Sequence, residues 1–355
     1  MMTNQLFKNL KVIELASVLA GPAVGQFFAE LGASVLKIEN TTTGGDVTRK
    51  WKLPQENKND PFSAYYHSIN WGKETLMLDL SDEAENMAAQ NLIAQSDIVI
   101  ANFKSGSAEK LNMDYEFLKK RNPHLIYANL TAFGEHDDTP GFDVLLQAET
   151  GFLYMNGEPD RPPVKMPVAL IDILAAHQLK EAILIALLKK EKTGTGSCIS
   201  VSLAKSAIAA LANQAANWLN VGHIPQRMGT QHPNISPYGD IFTTKDKKEI
   251  VLAVGTEKQF ADLCEILHLP ELKNDAKFNK NNERVKNRIE LIKILQTGFS
   301  NFEQAYLLHA FKIKKVPAGI IRNMQQVFEM PIAQEMILEN KYGGKCVRTV
   351  AFDIS

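Results

Sequence analysis

Residues 10–39 read Leu10-Lys-Val-Ile-Glu-Leu-Ala-Ser-Val-Leu-Ala-Gly-Pro-Ala-Val-Gly-Gln-Phe-Phe-Ala-Glu-Leu-Gly-Ala-Ser-Val-Leu-Lys-Ile-Glu39, and this stretch decides the fold of the chain. An apolar strand at 10–15 is followed by a helix through Gln26 to Leu31. A Gly-Ala turn then leads into a second apolar strand at 34–39. Two short apolar strands joined by a helix are typical of a parallel βαβ unit.

The same alternation of strands and helices continues through the first half of the chain. Further strands are predicted at 76–80, 97–101, 125–130 and 198–203. The pattern predicts an α/β fold with a Rossmann-like open sheet. Ligands in such sheets bind where the carboxyl ends of strands meet loops. A nucleotide-binding Rossmann enzyme is poorly supported, because Ala20-Gly-Pro22 opens the first helix without a GxGxxG fingerprint.

The length of 355 residues predicts two domains. We assign 1–220 to a large α/β domain and 221–239, rich in Gly, Pro, His and Asn, to a linker. A strand-turn-strand unit at 242–254 opens a smaller α+β domain at 240–325, where helical patterns rich in Lys and Leu follow.

The composition excludes several partners. A formal net charge of -1 gives no basic field to recruit nucleic acid. The three cysteines lie far apart, without zinc spacing, so we expect a reduced compartment and no metal site. The N-terminus lacks the apolar core of a signal peptide, and the apolar run 182–188 is too short to span a bilayer. We therefore expect a cytoplasmic protein with no membrane partner.

Asp172 is the candidate reactive residue. It is a lone carboxylate in the run Pro167-Val-Ala-Leu-Ile-Asp-Ile-Leu-Ala-Ala176, which reads as the start of a helix ending near Thr193-Gly-Thr-Gly196. An ionised carboxylate in apolar surroundings is costly, by several kcal/mol, unless it is paired or used. From this local pattern two alternatives stay open: Asp172 caps the helix start, or it is a desolvated nucleophile or base.

The ordered motifs resemble those of the class III CoA-transferase (CaiB/BaiF) family, in its formyl-CoA transferase-like form. They run in family order from about residue 6 to residue 352. Besides residues 10–39, the matching motifs are Gly45-Asp-Val-Thr-Arg49, Asn102-Phe-Lys-Ser-Gly106, Gly141-Phe-Asp143, Lys192-Thr-Gly-Thr-Gly196, Gly229-Thr-Gln-His-Pro-Asn-Ile-Ser-Pro-Tyr238, Ala253-Val-Gly-Thr-Glu-Lys-Gln-Phe260, Val316-Pro-Ala-Gly319 and Val327-Phe-Glu-Met-Pro331.

This resemblance implies a function. The nucleophilic aspartate of the family falls on Asp172. The family moves CoA from an acyl-CoA to a free carboxylic acid through acyl-aspartyl and aspartyl-CoA intermediates. Coenzyme A is then a substrate, and no permanently bound cofactor is expected. The resemblance further implies that 326–355 return to the large domain, that the family's C-terminal tail is missing here, and that two chains form an interlocked homodimer.

The resemblance also implies the contacts to CoA. They comprise Leu19, Ala20, Asn40, Leu78, Ser81, Asn102, Phe103, Lys104, Lys110, Phe142 and Asp143. The relatives carry basic residues at the positions of Asn40 and Ser81. Lys104 and Lys110 remain for the phosphates, and Lys37, Lys73 and Arg49 are candidates to compensate, with an ordinary surface basic residue as the alternative for each.

Phe142 separates the transferase from its nearest alternative, an acyl-CoA racemase or epimerase. The related racemases have a histidine here, which pairs with the aspartate to move an α-proton, and phenylalanine carries no proton. His136 in the same loop is a candidate substitute, with an exposed loop histidine as the simpler interpretation. A non-catalytic acyl-CoA-binding homologue is the third reading, and the retained Asp172 argues against it.

Overall fold

The computed structural model describes residues 5–354, which divide into two compact units. Unit 1 consists of the described residues of Met1–Phe152, Lys165–His223 and Pro331–Ser355. Unit 2 consists of Leu153–Val164 and Ile224–Met330.

Eleven strands occur in residues 5–354. In chain order they are β1 Lys11–Leu15, β2 Ser34–Asn40, β3 Glu74–Leu78, β4 Ile98–Ala101, β5 Ile126–Thr131, β6 Ser197–Ser202, β7 Tyr238–Thr243, β8 Glu249–Ala253, β9 Ala318–Ile320, β10 Ile337–Glu339 and β11 Lys345–Val347.

The helices include several of a single turn. In chain order they are α1 Ala20–Glu30, α2 Ala64–His67, α3 Glu83–Ala94, α4 Ser107–Lys110, α5 Tyr115–Leu118, α6 Asp143–Glu149, α7 Phe152–Met155, α8 Leu170–Thr193, α9 Leu203–Ala209, α10 Ala212–Val221, α11 Glu257–Ile266, α12 Asn281–Lys286, α13 Arg288–Phe299, α14 Gln304–Lys314, α15 Met324–Phe328 and α16 Pro331–Gln334. Short 3₁₀ segments lie at Thr41–Thr43, Val47–Lys50 and Pro270–Lys273.

A six-stranded sheet organises unit 1. Its order is β3-β2-β1-β4-β5-β6, and every adjacent pair is parallel. Ile13 in β1 lies level with Leu36 in β2 on one side and with Val99 in β4 on the other. The strand order therefore reverses between β1 and β4, which is the position where open α/β sheets bind ligands. The predicted Rossmann-like α/β fold is confirmed.

The two faces of this sheet bury alternate residues of each strand. On one face, Val12 and Ile100 pack against α1 and α8. On the other, Ile13 and Val99 pack against residues of α3 and α5 such as Ile93. Because successive side chains of a strand point to opposite faces, strands covered on both sides read as continuous apolar runs.

The helix α8 lies against the first of these faces. Its buried residues recur every three to four positions and include Asp172, Ala176, Leu179 and Ile183. This spacing is that of one helical stripe. The helix ends at Thr193, and Gly194 follows in the left-handed conformation with φ 69°, as expected for a C-terminal glycine.

The last part of the chain returns to unit 1. Both oxygens of the Glu30 side chain in α1 accept backbone N–H groups there, from Thr349 at 2.8 Å and from Val350 at 3.2 Å. The Trp71 indole donates to the Glu339 carbonyl at 3.0 Å. Side-chain-to-backbone hydrogen bonds from α1 and from the turn before β3 thus tie the region of the antiparallel pair β10–β11 to the rest of unit 1.

Unit 2 is a smaller α+β unit, built on the antiparallel sheet β7-β8-β9. Its core contains Phe242, Leu263, Leu295, Phe299 and Phe311, contributed by one strand and three helices.

Two elements differ from the sequence prediction. The third strand ends at Leu78 rather than at residue 80, because the Asp79 carboxylate accepts the Ser81 backbone N–H at 2.9 Å and closes a turn. Residues 204–219, which read as one helix from the sequence, form two helices instead, α9 and α10, and the break lies where Ala212 adopts a φ of 47°.

Candidate functional site

A cavity of about 810 Å³ lies in unit 1 where the strand order reverses. Its walls include the loop Ser17–Ala20 after β1 and the loop Asn102–Gly106 after β4. The segment Gly134–Phe142 after β5 supplies further lining residues, and Asp172 lines the same cavity. The strand order and the position of the cavity together match the general rule for ligand sites in open sheets.

Asp172 is the third residue of α8 and is 8% exposed. Among residues 5–354 no group donates a hydrogen bond to its carboxylate. The helix start favours a negative charge through its free N–H groups, but this does not replace lost hydration. A buried carboxylate that opens into a cavity without a partner is available to react.

The capping role at the start of α8 belongs to another residue. Asp143, the first residue of α6, accepts the Ile171 N–H at 2.7 Å and the Asp172 N–H at 3.4 Å. Gln147, one turn further along α6, holds the other oxygen of Asp143 at 2.6 Å. The capping alternative for Asp172 is therefore wrong, because a carboxylate from a different helix already satisfies these N–H groups.

Burial raises the pKa of Asp172 to about 7, and the negative charge of Asp143 adds to the increase. The ionised form is therefore poorly stabilised by its surroundings and is correspondingly reactive.

Sequence reasoning missed Tyr65, which interacts electrostatically with this carboxylate, and Trp51, which packs on Tyr65. Burial raises the pKa of Tyr65 to about 12, and the charges of Asp172, Asp143 and Asp46 contribute. Its phenol is therefore a neutral O–H donor. The Trp51 ring packs edge-on against the Tyr65 ring at 5.1 Å. Both residues follow the Gly45–Arg49 motif, but no sequence spacing links them to Asp172.

The cavity brings together seven of the predicted site residues. They are Leu19, Ala20, Asn102, Phe103, Lys104, Phe142 and Asp172. Phe142 is 54% exposed. Asn102 also fixes the first loop, because its side chain accepts the Ser17 N–H at 3.1 Å and donates to the Ser17 carbonyl at 3.0 Å.

The other predicted residues do not line the cavity. Leu78 is buried at the end of β3, and Ser81 is exposed in the turn that follows. Asn40 is exposed and caps the 3₁₀ segment after β2. Lys110 is exposed at the end of α4, and Asp143 acts on the helix start described above.

Lys37, Lys73 and Arg49, the candidates for compensation, are engaged in ion pairs instead. The Lys37 and Lys73 side chains are 1% exposed and form ion pairs with Glu14 at 2.7 and 2.8 Å. Arg49 pairs with Glu39 at 2.7 Å. These cations are already neutralised, and the two lysines are sealed from solvent, so they are not free for phosphate groups.

The charge of the cavity lining is mostly negative. Lys104 is the one Lys or Arg among the described residues that line it. Besides Asp172, the acidic lining residues are Glu109, Asp114, Glu116, Glu135, Asp137 and Asp138. In the described part of the chain, no group of His, Cys, Asp and Glu side chains is arranged to hold a metal ion. No helix formed by residues 5–354 has the length and apolar character needed to cross a bilayer.

Comparison with known proteins relates this fold and site to a family. The sequence pattern of CoA-transferase family III matches residues 7–353. A succinate–glutarate CoA-transferase of Agrobacterium fabrum is 39% identical over 332 residues, covering 92% of this chain and 82% of the relative. The succinyl-CoA:glutarate CoA-transferase of Homo sapiens is 35% identical over 327 residues, covering 91% and 73%.

A solved structure supports the same family relationship. The crystal structure of a CaiB/BaiF family protein from Brucella suis has a TM-score of 0.87 and 37% identity, covering 99% of this chain and 93% of that chain. The motifs that pointed to this family are therefore confirmed, and the chain belongs to CoA-transferase family III.

Proposed function

We propose that this enzyme moves CoA from an acyl-CoA to a free carboxylic acid through covalent intermediates on Asp172. The transfer of CoA rests on the family and on the activities for which its relatives are named. The covalent route is our own step. One observation carries it: Asp172 is buried, has no hydrogen-bond partner for its carboxylate among residues 5–354, and opens into the cavity.

The first half of the reaction transfers CoA to the enzyme. An oxygen of the Asp172 carboxylate attacks the thioester carbonyl carbon, the C–S bond breaks, and CoA leaves as a thiolate. The product is a mixed anhydride between the acyl group and Asp172. The thiolate then attacks the aspartyl carbonyl carbon, so the donor acid leaves as a carboxylate and an aspartyl-CoA thioester remains.

The second half reverses these steps with another acid. The acceptor carboxylate attacks the aspartyl-CoA carbonyl, which forms a new anhydride and releases the thiolate. Attack of this thiolate on the acyl carbon of the acceptor gives the new acyl-CoA and restores the Asp172 carboxylate. No proton has to be transferred, so the absence of an acid–base residue at Phe142 is no obstacle.

The surroundings of Asp172 fit this chemistry. Both intermediates hydrolyse, so a buried carboxylate in an apolar helix face protects them from water. The neutral Tyr65 phenol, whose pKa is raised by burial and by the charge of Asp172, is our candidate O–H donor for the oxyanion that forms at the acyl carbon.

The CoA molecule is proposed to extend from this cavity along the carboxyl ends of the strands. Lys104 and Lys110 are the candidate phosphate contacts, and Leu19, Ala20, Asn102 and Phe103 the candidates near the thioester. Asn40, Leu78 and Ser81 stay predictions for the nucleotide end. Because the cavity lining is acidic, we place the phosphates toward its open side.

The acids are proposed to be short dicarboxylates. The Agrobacterium and human relatives are named for transfer between succinate and glutarate. We further propose a cytoplasmic location, supported by the free thiols of Cys198, Cys264 and Cys346.

An exchange assay tests the function. The protein is incubated with succinyl-CoA and isotopically labelled glutarate, oxalate or a monocarboxylic acid, and labelled acyl-CoA is measured. We expect label in the CoA thioester of at least one dicarboxylate. Asp172→Asn is expected to abolish transfer, whereas Asp97→Asn, at the amino end of β4, is expected to retain it. Transfer by Asp172→Asn at the unaltered rate would refute the covalent route.

The racemase alternative has its own readout. In deuterated water a racemase incorporates deuterium at the α-carbon of a chiral acyl-CoA. We expect none here, because Phe142 supplies no second acid–base group.

A further inference from the structure

A buried ion network contacts the turn after β1 and takes no part in the proposed chemistry. The Lys37 ammonium in β2 is 2.7 Å from Glu14 of β1 and 3.0 Å from Asp46. It also donates to the Ala16 carbonyl at 2.7 Å. Lys73 contacts the second oxygen of Glu14 at 2.8 Å, so the two cations and two anions balance.

The turn after β1 has an unfavourable backbone conformation. Val18 has a φ of 75°, in the left-handed region. For a β-branched residue this conformation is strained, and it persists only where the surrounding structure enforces it. The Val18 N–H points at the Asp46 carboxylate, at 3.3 and 3.4 Å from its two oxygens.

The same turn forms the wall of the cavity. Ser17, Val18, Leu19 and Ala20 all line it together with Asp172. Two partners of Lys37 therefore connect it to this wall. Ala16, whose carbonyl accepts from Lys37, comes directly before the turn, and the Asp46 carboxylate accepts the N–H of the strained residue Val18.

Stability alone gives little reason for such a network. Burying ion pairs costs hydration, and apolar residues of similar volume often stabilise a protein equally well or better. Burial would lower the pKa of Lys37, but the adjacent Glu14 and Asp46 raise it above its ordinary value. The ammonium is thus permanently charged and can fix both partners.

We propose that Lys37 and Asp46 are positioning residues that hold Val18 in its left-handed conformation and so set the cavity wall facing Asp172. This inference rests on the proposed function for its kinetic consequences. Lys37 acts only through the turn, since it is sealed from the cavity by its own partners.

The test uses a charge-balanced variant, Lys37→Met with Asp46→Asn, in the full chain. It leaves Glu14 paired with Lys73, so no buried charge loses its only partner. We expect kcat for CoA transfer to fall by about a hundredfold, as misplaced reacting groups cause. Calorimetry with CoA alone should show a far smaller change in Kd. The control Lys190→Met, which removes the partly exposed pair with Asp97, should keep the wild-type kcat.

A rescue experiment separates positioning from simple stabilisation. Glycine adopts positive φ without strain, so Val18→Gly makes the turn independent of Asp46. We expect Val18→Gly, added to the charge-balanced variant, to recover about tenfold of the lost kcat. If the network only stabilised the fold, Val18→Gly would not restore kcat.

The same double-mutant cycle on urea unfolding midpoints needs no activity. We expect the effects of Val18→Gly and of the charge-balanced substitutions on the unfolding midpoint to be non-additive, because Val18→Gly removes the backbone strain that the network otherwise enforces. Wild-type kcat in the folded variant, failure of Val18→Gly to restore kcat, or additive effects on the midpoint would overturn the inference.

If the charge-balanced variant does not fold, Asp46→Asn alone is used in the same double-mutant cycle. If the unaltered protein shows no CoA transfer, the proposed function fails, and the midpoints still decide the positioning role.

Discussion

Asp172 meets two opposing physical requirements. It must ionise to attack a thioester, yet its burial and the charge of Asp143 disfavour the ionised form. The compromise is a pKa of about 7, close to the pH at which an enzyme works. A carboxylate with this pKa is partly ionised at neutral pH and more nucleophilic than one in water.

The first prediction concerns the acid limb of the pH profile. Because only the carboxylate attacks, kcat/KM should rise with pH through an apparent pKa near 7. Asp143→Asn keeps an oxygen for the helix start but removes the negative charge. It should lower the pKa of Asp172 and move the limb to lower pH. Asp97→Asn is the control and should leave it in place. If the acid limbs of the kcat/KM profiles of Asp143→Asn and the wild type coincided, this electrostatic account would be contradicted.

The second prediction concerns stability. The folded protein holds a proton on Asp172 up to about pH 7, whereas an unfolded chain loses it near pH 4. Between these values the folded state binds more protons, so the free energy of unfolding falls as pH rises. A shift of this size corresponds to at most about 4 kcal/mol. Asp172→Asn should therefore stabilise the protein by about 2 kcal/mol at pH 8 and much less at pH 5.

Urea unfolding at both pH values measures this effect. An equal gain at pH 5 and pH 8 would show that the titration of Asp172 is not its cause. Lower stability of Asp172→Asn at pH 8 would mean that the carboxylate is paired after all.

Sequence reasoning reached Asp172 but not its surroundings. A lone acid in an apolar helix start was recognisable from its local pattern, and the family motifs gave it a role. The cap from Asp143 and the phenol of Tyr65 come from segments far from residue 172 in sequence. No local sequence pattern indicates these contacts, because they form only when distant segments come together in the folded chain.

At the scale of elements, close backbone packing fixes the last strand of the sheet. A Cβ added to Gly196, just before β6, would lie 2.1 Å from the Leu125 carbonyl oxygen before β5. The adjacent Ser197 N–H bonds that same oxygen at 3.0 Å. The two strands therefore pair in this register only with glycine at 196.

The third prediction follows from this contact. Gly196→Ala should destabilise the protein by about 1–3 kcal/mol, as overpacking typically does. Its matched control is Gly194→Ala, where open space surrounds the added Cβ and only the φ of 69° is unfavourable. That change should cost about 1 kcal/mol, and Gly194→Asn less, because Asn tolerates this conformation better. Denaturant unfolding compares them; a Gly196→Ala chain as stable as Gly194→Asn would refute the packing argument.

The elements were predictable where their signals are local. The βαβ unit at 10–39 and the glycine after α8 follow from apolar periodicity and helix-ending chemistry. The break between α9 and α10 was not predictable, because alanine is a strong helix former and no local signal predicts the positive φ of Ala212.

At the scale of the whole molecule, the exposed apolar residues bear on assembly. Within unit 1, α8 exposes Ile185 and Leu188, and the end of α10 exposes Trp218, Leu219 and Val221. A concentration of large exposed apolar side chains marks an interaction surface.

The fourth prediction is therefore a homodimer, which we propose to be the interlocked form that the family resemblance implies. Light scattering on a sizing column should return twice the monomer mass. Because interlocked chains separate only by unfolding, this mass should persist on dilution to nanomolar concentration. A monomer mass would contradict the dimer, and dissociation on dilution would contradict interlocking.

The covalent step on Asp172 is the central claim, and hydroxylamine trapping tests it most directly. The protein is mixed with succinyl-CoA without acceptor, treated with hydroxylamine and digested, and its peptides are analysed by mass spectrometry. Hydroxylamine attacks an activated aspartyl carbonyl and leaves a hydroxamate. We predict this mass change on the peptide containing Asp172 only when succinyl-CoA is present. An unmodified Asp172 peptide in a protein that is transferring CoA would contradict the account.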